Sequence, residues 1–388
     1  MSTEAYVFAG GGTGGHLFPG LAVAEELRRH QPHAAMLFLT TTRALDRELL
    51  ARVPFEQIEQ PVQPLSLHPL RFAGFWRAWR RSLRLATQVL RARRPRAVLG
   101  LGGYAAGPAV VAARRLGIRR AILNPDAIPG RANRRLARYA DLVVLQWDDS
   151  RRYFRAGTPC RTLGCPIRAD FLRADGAAGR RRFGLDERRP LLLVTGASQG
   201  ARTINRAVQR VWPEFVREFA HWQLVHLSGA ADEAETRDAY AKAGAPATVV
   251  AFTHEMAEAL AAADLVVSRA GASTLAELTA LGKPSILLPY PYHRDRHQHA
   301  NAQVLADVGA AVVLEDQRDA ARNAEPLLAA LRLLAIDAAR EKMSAAARTL
   351  ARPRAAADMA AWLAGGEPQS RMHTGTDECS TAEDGWRV

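Results

Sequence analysis

The sequence predicts an α/β fold of two doubly wound parallel-sheet domains, and three observations carry that prediction. Short apolar runs alternate with amphipathic helical segments along most of the chain, an order that builds parallel sheets covered on both faces. Several of the runs break into glycine-rich turns, at Gly10, Gly102 and Gly196, as strands do where a ligand meets their carboxyl ends. The length of 388 residues exceeds the size at which a single core stops growing.

The first unit is the strand Tyr6 to Ala9, the run GGGTGGHLFP from Gly10 to Pro19, and a helix from Phe18 with Leu21, Ala24 and Leu27 on one face. Bare backbone N–H groups at such a helix start carry partial positive charge and seat phosphate. Gly10, Gly12 and Gly15 satisfy the dinucleotide pattern G-x-G-x-x-G. A nicotinamide site would then need an acidic residue after the second strand, Met36 to Leu39, yet Thr40-Thr41-Thr42 follows. The reading is a phosphate loop, with His16 an ionisable group at the cleft mouth; a structural glycine turn before a helix-start histidine competes with it.

Three further strands are expected in this half, Ala97 to Leu101, Ala121 to Leu123 and Leu142 to Leu145, with helices from Ala44 and Pro108. Gly102, Gly103 and Gly107 form a second strand–glycine–helix junction, and two such junctions on one side of a sheet point to one anionic ligand. The net charge of +14 is concentrated between Glu59 and Asp126, where arginines from Arg71 to Arg120 meet no acidic residue. That field suits nucleic acid, anionic lipid or an anionic substrate. Within it, Phe72, Phe75, Trp76, Trp79, Leu83 and Leu90 share one helical face, with Arg77, Arg80, Arg81, Arg84 and Arg91 on the flank and opposite side. Either this helix covers the sheet, or its aromatics, with Leu67 and Leu70, and the Arg71 to Arg94 charges meet an anionic membrane surface. Nucleic acid is disfavoured, because no helix-turn-helix, RNA-binding or zinc motif accompanies the arginines.

The domain boundary is placed near Leu163-Gly-Cys-Pro-Ile-Arg168, giving segments 1–164 and 165–350, then a terminal helix at 351–364 expected to pack back on the first domain. The pattern restarts at Leu191 and turns through Gly196-Ala-Ser-Gln-Gly200, which also matches the G-x-S-x-G nucleophile elbow. A phosphate turn is preferred, since Gly271 to Thr274 opens a helix in the same manner later. Strands follow at Leu224 to Leu227, Thr248 to Ala251, Leu265 to Ser268, Ser285 to Leu288 and Ala311 to Leu314. Glu277, one turn inside the helix after Gly271, could accept from both hydroxyls of a ribose, while Thr274 and Glu277 also fit a capping box. His297, Gln298 and His299 lack the helical pairing that metal binding requires.

Cys160, Cys165 and Cys379 are too few for a disulfide framework and suggest a reducing compartment. The start MSTEAYVFAGGG does not read as a secretory signal, and no run reaches the ~18 apolar residues of a spanning helix. Residues 365–388 are polar and are expected to form a disordered tail.

The segments GGGTGGHLFPGLAVAEEL, GGYAAGPAVVAA, GCPIRADF, GASQGARTIN, SRAGASTLAELTALGKPSILLPYPY and DRHQHANA, in this order, resemble the MurG family. These are peripheral membrane enzymes that add N-acetylglucosamine to the lipid-linked muramyl-pentapeptide precursor of peptidoglycan. The resemblance covers roughly Tyr6 to Leu350. It implies a GT-B fold of two Rossmann-like domains, UDP-GlcNAc as donor, a lipid-linked MurNAc-pentapeptide as acceptor, a place on the cytoplasmic face of the inner membrane, and no cofactor or metal. Carried over by position, Thr13, Gly14 and Gly15 line the cleft near the donor sugar, and Arg168 and Ser198 hold the diphosphate. Thr253 meets the uracil, Ala272, Ser273, Thr274, Leu275, Ala276 and Glu277 hold phosphate and ribose, and Gln298 reaches the sugar. Gly14, Gly15, Gly102, Gly103 and Tyr104 face the acceptor diphosphate. His16 is the candidate base. The chain departs from the family's usual Glu-Gln-Asn at Asn124-Pro125-Asp126, so Asp126 is a second candidate, as base, as a group orienting His16 or as a donor contact, with repulsion of the acceptor diphosphate as the opposing reading.

Overall fold

The computed structural model describes residues 4–64, 69–196, 200–292 and 295–369, with the backbone alone at 69–71. Ser198, Leu67, Cys379 and residues 370–388 lie outside the described residues, as do the side chains of Leu70 and Arg71. The first half runs β1 (Ala5–Ala9), α1 (Gly14–His30), β2 (Ala35–Thr40), α2 (Ala44–Leu50), β3 (Glu56–Glu59), α3 (Pro69–Arg93), β4 (Ala97–Gly100), α4 (Gly107–Arg115), β5 (Arg119–Asn124), α5 (Arg131–Leu136), β6 (Leu142–Leu145) and β7 (Cys160–Thr162). The second runs α6 (Ala169–Arg173), α7 (Gly176–Arg182), β8 (Leu191–Thr195), α8 (Arg202–Glu218), β9 (Gln223–Leu227), α9 (Glu233–Lys242), β10 (Thr248–Val250), α10 (Met256–Ala262), β11 (Leu265–Ser268), α11 (Ala272–Leu281), β12 (Ser285–Leu287), α12 (His297–Asp307), β13 (Ala311–Val313), α13 (Ala320–Leu334), α14 (Asp337–Thr349) and α15 (Ala355–Leu363).

The strands form two all-parallel sheets, ordered β3-β2-β1-β4-β5-β6-β7 and β10-β9-β8-β11-β12-β13. Both are covered on two faces, and the period of two along each strand decides which side chain goes where. Tyr6 and Phe8 pack towards α1 and α15, with Phe8 stacked on Phe38 at 4.8 Å, whereas Val7 and Ala9 pack towards α3 and α4. In the second sheet Leu192 and Val194 meet Ile204, Val208, Trp212 and Phe215 of α8, while Leu191 and Leu193 meet α10 and α11. Each fully buried large apolar side chain of this kind contributes about 1.5–3 kcal/mol.

The edge strands β3 and β7 were not expected. Their sequences, EQIE and CRT, carry no apolar run and stay largely unburied, because each pairs on one side only. The aromatic stripe of α3 divides along its length. Ala86 and Leu90 enter the core and Trp79 packs on α4, where a Cβ at Gly107 would lie 2.7 Å from its ring. Gly107 thus makes room for the Trp79 ring. Phe72 and Trp76, at the start of the helix, remain 43% and 46% exposed beside the exposed Arg77, Arg80, Arg81 and Arg84.

Two stretches of chain connect the halves, around 163–168 and 350–354, and they pack against each other. Gly164, at φ +95°, leaves the place of its missing Cβ to the side chain of Arg352. Beyond the second crossing α15 returns to the first sheet, burying Met359 and Leu363 against α1 and setting Trp362 under the guanidinium of Arg119 at 4.0 Å.

Candidate active site between the sheets

The loop after β1 is held from below. Gly11 and Gly12 take φ of +143° and +88°, and the wholly buried Asp46 of α2 accepts from the Gly12 N–H at 2.8 Å, the Thr41 N–H at 3.1 Å and the Thr41 hydroxyl at 2.5 Å. A carboxylate does stand beyond the second strand, but it is spent on the loop's own backbone. Helix α1 starts at Gly14, four residues before the expected Phe18, and so contains Pro19. Proline has no N–H to return to the carbonyl four residues earlier. The Gly15 carbonyl is therefore left over, and it accepts from the Ser273 hydroxyl of α11 at 3.4 Å. Loop and helix of opposite halves meet through that missing bond.

His16 stands between the two glycine loops. Its Nδ1 lies 3.1 Å from the Thr13 hydroxyl, and its ring covers Gly102 and Gly103, where added Cβ atoms would come within 3.4 and 3.3 Å of it. Those glycines, at φ +100° and +70°, admit the ring as no larger residue would. Tyr104 follows them, half-buried. Desolvation in the cleft lowers the pKa of His16 below its usual value, partly opposed by the nearby carboxylate of Asp126.

Across the cleft, α11 is capped by Gly271, with Ala272 to Glu277 in its first turns. No side chain caps this helix, so Thr274 and Glu277 do not form the capping box. Glu277 is half-buried, makes no hydrogen bond among the described residues, and is pushed up to about 8 by burial, which Arg168 partly offsets. Arg168 pairs with Asp170 at 3.2 Å and lies over Phe18 of the first half at 5.4 Å. Thr253 accepts from the Glu255 N–H at 3.1 Å in the loop after β10. The amide oxygen of Gln298, at the start of α12, accepts from the Tyr290 N–H at 2.9 Å. A groove of about 1130 Å³ runs past Gly196, Gly200, Gly271, Thr274 and Gln298.

The glycosyltransferase family 28 N-terminal domain matches residues 6–145 and its C-terminal domain matches residues 191–359. A protein of Desulforudis audaxviator named UDP-N-acetylglucosamine–N-acetylmuramyl-(pentapeptide) pyrophosphoryl-undecaprenol N-acetylglucosamine transferase is 38% identical, over 90% of this chain and 95% of its own. A Sorangium cellulosum protein of the same name is 40% identical over 92% and 87%. The chain belongs to the MurG family. The crystal structure of Acinetobacter baumannii MurG superposes with a TM-score of 0.72 at 27% identity, over 93% of this chain and 99% of that one. A Listeria monocytogenes protein described as a putative UDP-N-acetylglucosamine 2-epimerase, at 15% identity and a TM-score of 0.64 over 93% and 95%, shares the fold alone.

In this MurG-family chain Asp126 does not bond to His16. Its Oδ1 accepts from the Asn301 side chain of α12 at 2.9 Å, while Asn301 Oδ1 accepts from the Ala127 N–H at 2.7 Å. A role for Asp126 in orienting His16 by hydrogen bond is thereby excluded from this arrangement, and its action on the histidine is through space. Asp46, Asn301 and Gln146 were missed by sequence reasoning. Gln146, after β6, donates to the Ala272 carbonyl at 3.2 Å and so steadies the start of α11 from the other half. The run His297 to His299 gathers no metal-binding group, and none of three or more His, Cys, Asp or Glu occurs among the described residues.

Proposed function

We propose that the chain transfers N-acetylglucosamine from UDP-GlcNAc to the 4-hydroxyl of the MurNAc unit in undecaprenyl-diphospho-MurNAc-pentapeptide, with inversion at the anomeric carbon. The observation that carries this reading is the lodging of His16 between the Gly10–Gly12 and Gly102–Gly103 loops, directly beside the Ser273–Gly15 contact with α11. On this reading donor and acceptor groups meet at that point of the cleft. Glu277 holds the ribose diol, the Thr253 backbone meets the uracil, and Gln298 and Thr13 flank the sugar. Arg168 and Ser198 hold the diphosphate, and Arg168 with the α8 and α11 N-termini supplies positive potential to it as it departs. Gly102, Gly103 and Tyr104 receive the acceptor diphosphate, and His16 takes the proton of the attacking hydroxyl. Asp126 keeps that imidazole basic enough to do so.

The experiment is incubation with labelled UDP-GlcNAc and a short-chain lipid acceptor analogue. A β-1,4-linked disaccharide lipid and free UDP are expected in equal amounts; intact UDP binding without transfer would overturn the reading in favour of a UDP-sugar sensor.

Among the described residues no helix is long and apolar enough to cross a membrane. Exposed Phe72 and Trp76 above a row of arginines support peripheral attachment to the cytoplasmic face of the bacterial inner membrane. Binding to anionic vesicles is expected to weaken by about 10-fold or more in a Phe72→Ala/Trp76→Ala variant and to fall with salt. Sedimentation with vesicles at low and high salt measures both, and equal binding by variant and parent would refute the attachment site.

A further inference from the structure

Resting on the reading that the donor diphosphate sits at the start of α8, we infer that a buried hydrogen-bond chain, Tyr240 to His226 to Asn205, is a positioning device for the diphosphate loop. His226 of β9 and Asn205 of α8 have no exposed surface, and Tyr240 of α9 is 3% exposed. Tyr240 Oη lies 2.7 Å from His226 Nδ1, and His226 Nε2 lies 3.1 Å from Asn205 Oδ1. Asn205 spends its Nδ2 on the Ser228 carbonyl at 2.8 Å and on Asp232 Oδ2 at 2.9 Å.

These bonds fix the direction of every proton. Because the amide group of Asn205 donates twice, its oxygen can only accept, so His226 carries its hydrogen on Nε2. Nδ1 is then bare and accepts from the tyrosine hydroxyl. Burial holds the histidine pKa at about 3, so the ring stays neutral and the chain keeps one polarity across the working pH range.

The output of the chain is the diphosphate turn. Gly200, at φ +74°, rests so close to the Ser228 carbonyl that a Cβ would collide with it. That carbonyl is the group Asn205 clamps, on a backbone also tied to β10 through the Ser228 N–H to Val250 at 3.1 Å. Asp232, the other acceptor of Asn205, faces Nε of Arg202 at 3.4 Å, and Arg202 is the first residue of α8. One amide therefore sets both the floor beneath Gly200 and the anchor of the helix start, where a diphosphate would find its N–H donors. Nothing in the transfer chemistry otherwise employs His226.

The test compares titrations of the full chain with UDP and with uridine, which lacks phosphates. His226→Leu fills the space but leaves Asn205 Oδ1 without a donor, whereas the amide of His226→Gln can still donate there. UDP affinity is expected to fall about 10-fold in the leucine variant, to recover to within about 2-fold in the glutamine variant, and uridine affinity to stay within about 2-fold throughout. Turnover at saturating donor should change less than KM for the donor. Equal behaviour of leucine and glutamine variants, or uridine weakening in step with UDP, would overturn the inference as plain core packing. Should the leucine variant not fold, Tyr240→Phe removes a single hydroxyl; about 3-fold weaker UDP binding supports the chain and unchanged binding refutes it. Wild-type protein binding UDP no more tightly than uridine would overturn the underlying diphosphate reading, an outcome separate from any variant effect.

Discussion

Replacing His16 by alanine is expected to lower kcat about 10²- to 10⁴-fold, the usual cost of losing a general base, and to leave UDP affinity unchanged. The imidazole is the ionisable group enclosed by both glycine loops, and desolvation keeps it neutral and able to accept a proton at pH 7. Its lowered pKa places the acidic fall of kcat/KM below pH 6.5. Asp126 opposes that lowering, so Asp126→Asn should move the fall further towards acid while costing less than about 10-fold in rate, since its Oδ1 is already engaged by Asn301. Steady-state profiles of both variants separate the roles. A harmless His16→Ala beside an inactive Asp126→Asn would transfer the base assignment to the carboxylate.

Glu277 gives the second large effect, with opposite signs for binding and stability. If Glu277 accepts two ribose hydroxyls as proposed, its ionised form is the binding form, and Glu277→Gln should weaken UDP-GlcNAc about 10- to 100-fold, the range for a charged hydrogen bond. The parent's donor KM should fall as pH rises through about 8, where the carboxyl ionises, and the glutamine variant should lack that dependence. For stability, the folded protein holds this proton up to about 8, whereas the unfolded chain releases it near 4.5. Between those values the folded state binds more protons, so stability declines as pH climbs and stays reduced above. The glutamine variant escapes that loss and should melt roughly 2–4 °C higher at pH 8. A thermal scan of both proteins at pH 5 and pH 8 reads the difference; a glutamine variant that melts below the parent at pH 8 would contradict the raised pKa of the half-buried carboxyl.

The parts of the site legible in the sequence are those made by short stretches. Gly10 to His16, Gly102-Gly103 and Gly271 to Glu277 announce themselves because strand, turn and helix start follow one another within a few residues. The contacts that join the halves left no such trace. Ser273 and Gly15 are 258 residues apart and Asn301 and Asp126 are 175 apart, so no local pattern couples them. Pro19 shows the limit well: within a short window it reads as a helix boundary, but three-dimensional context keeps it inside α1 and turns its missing N–H into a docking point. The α3 stripe left two readings open, since periodicity reports that a face is apolar and not how much of it the sheet can reach. Edge strands β3 and β7 escaped because pairing on one side alone asks for no apolar run.

The double crossing between the halves, sealed where Arg352 fills the space left by Gly164, limits how the cleft can work. A body tethered at one point can swivel freely; tethered at two neighbouring points it can only swing about the line joining them. With α15 fastened to the first sheet, two neighbouring connections favour opening like a book over sliding or rolling. A closure about that line would return Ser273 to Gly15 and Asn301 to Asp126 in the same register. On the proposed function, a dissolved donor and a bilayer-held acceptor would then meet in the same alignment at every turnover.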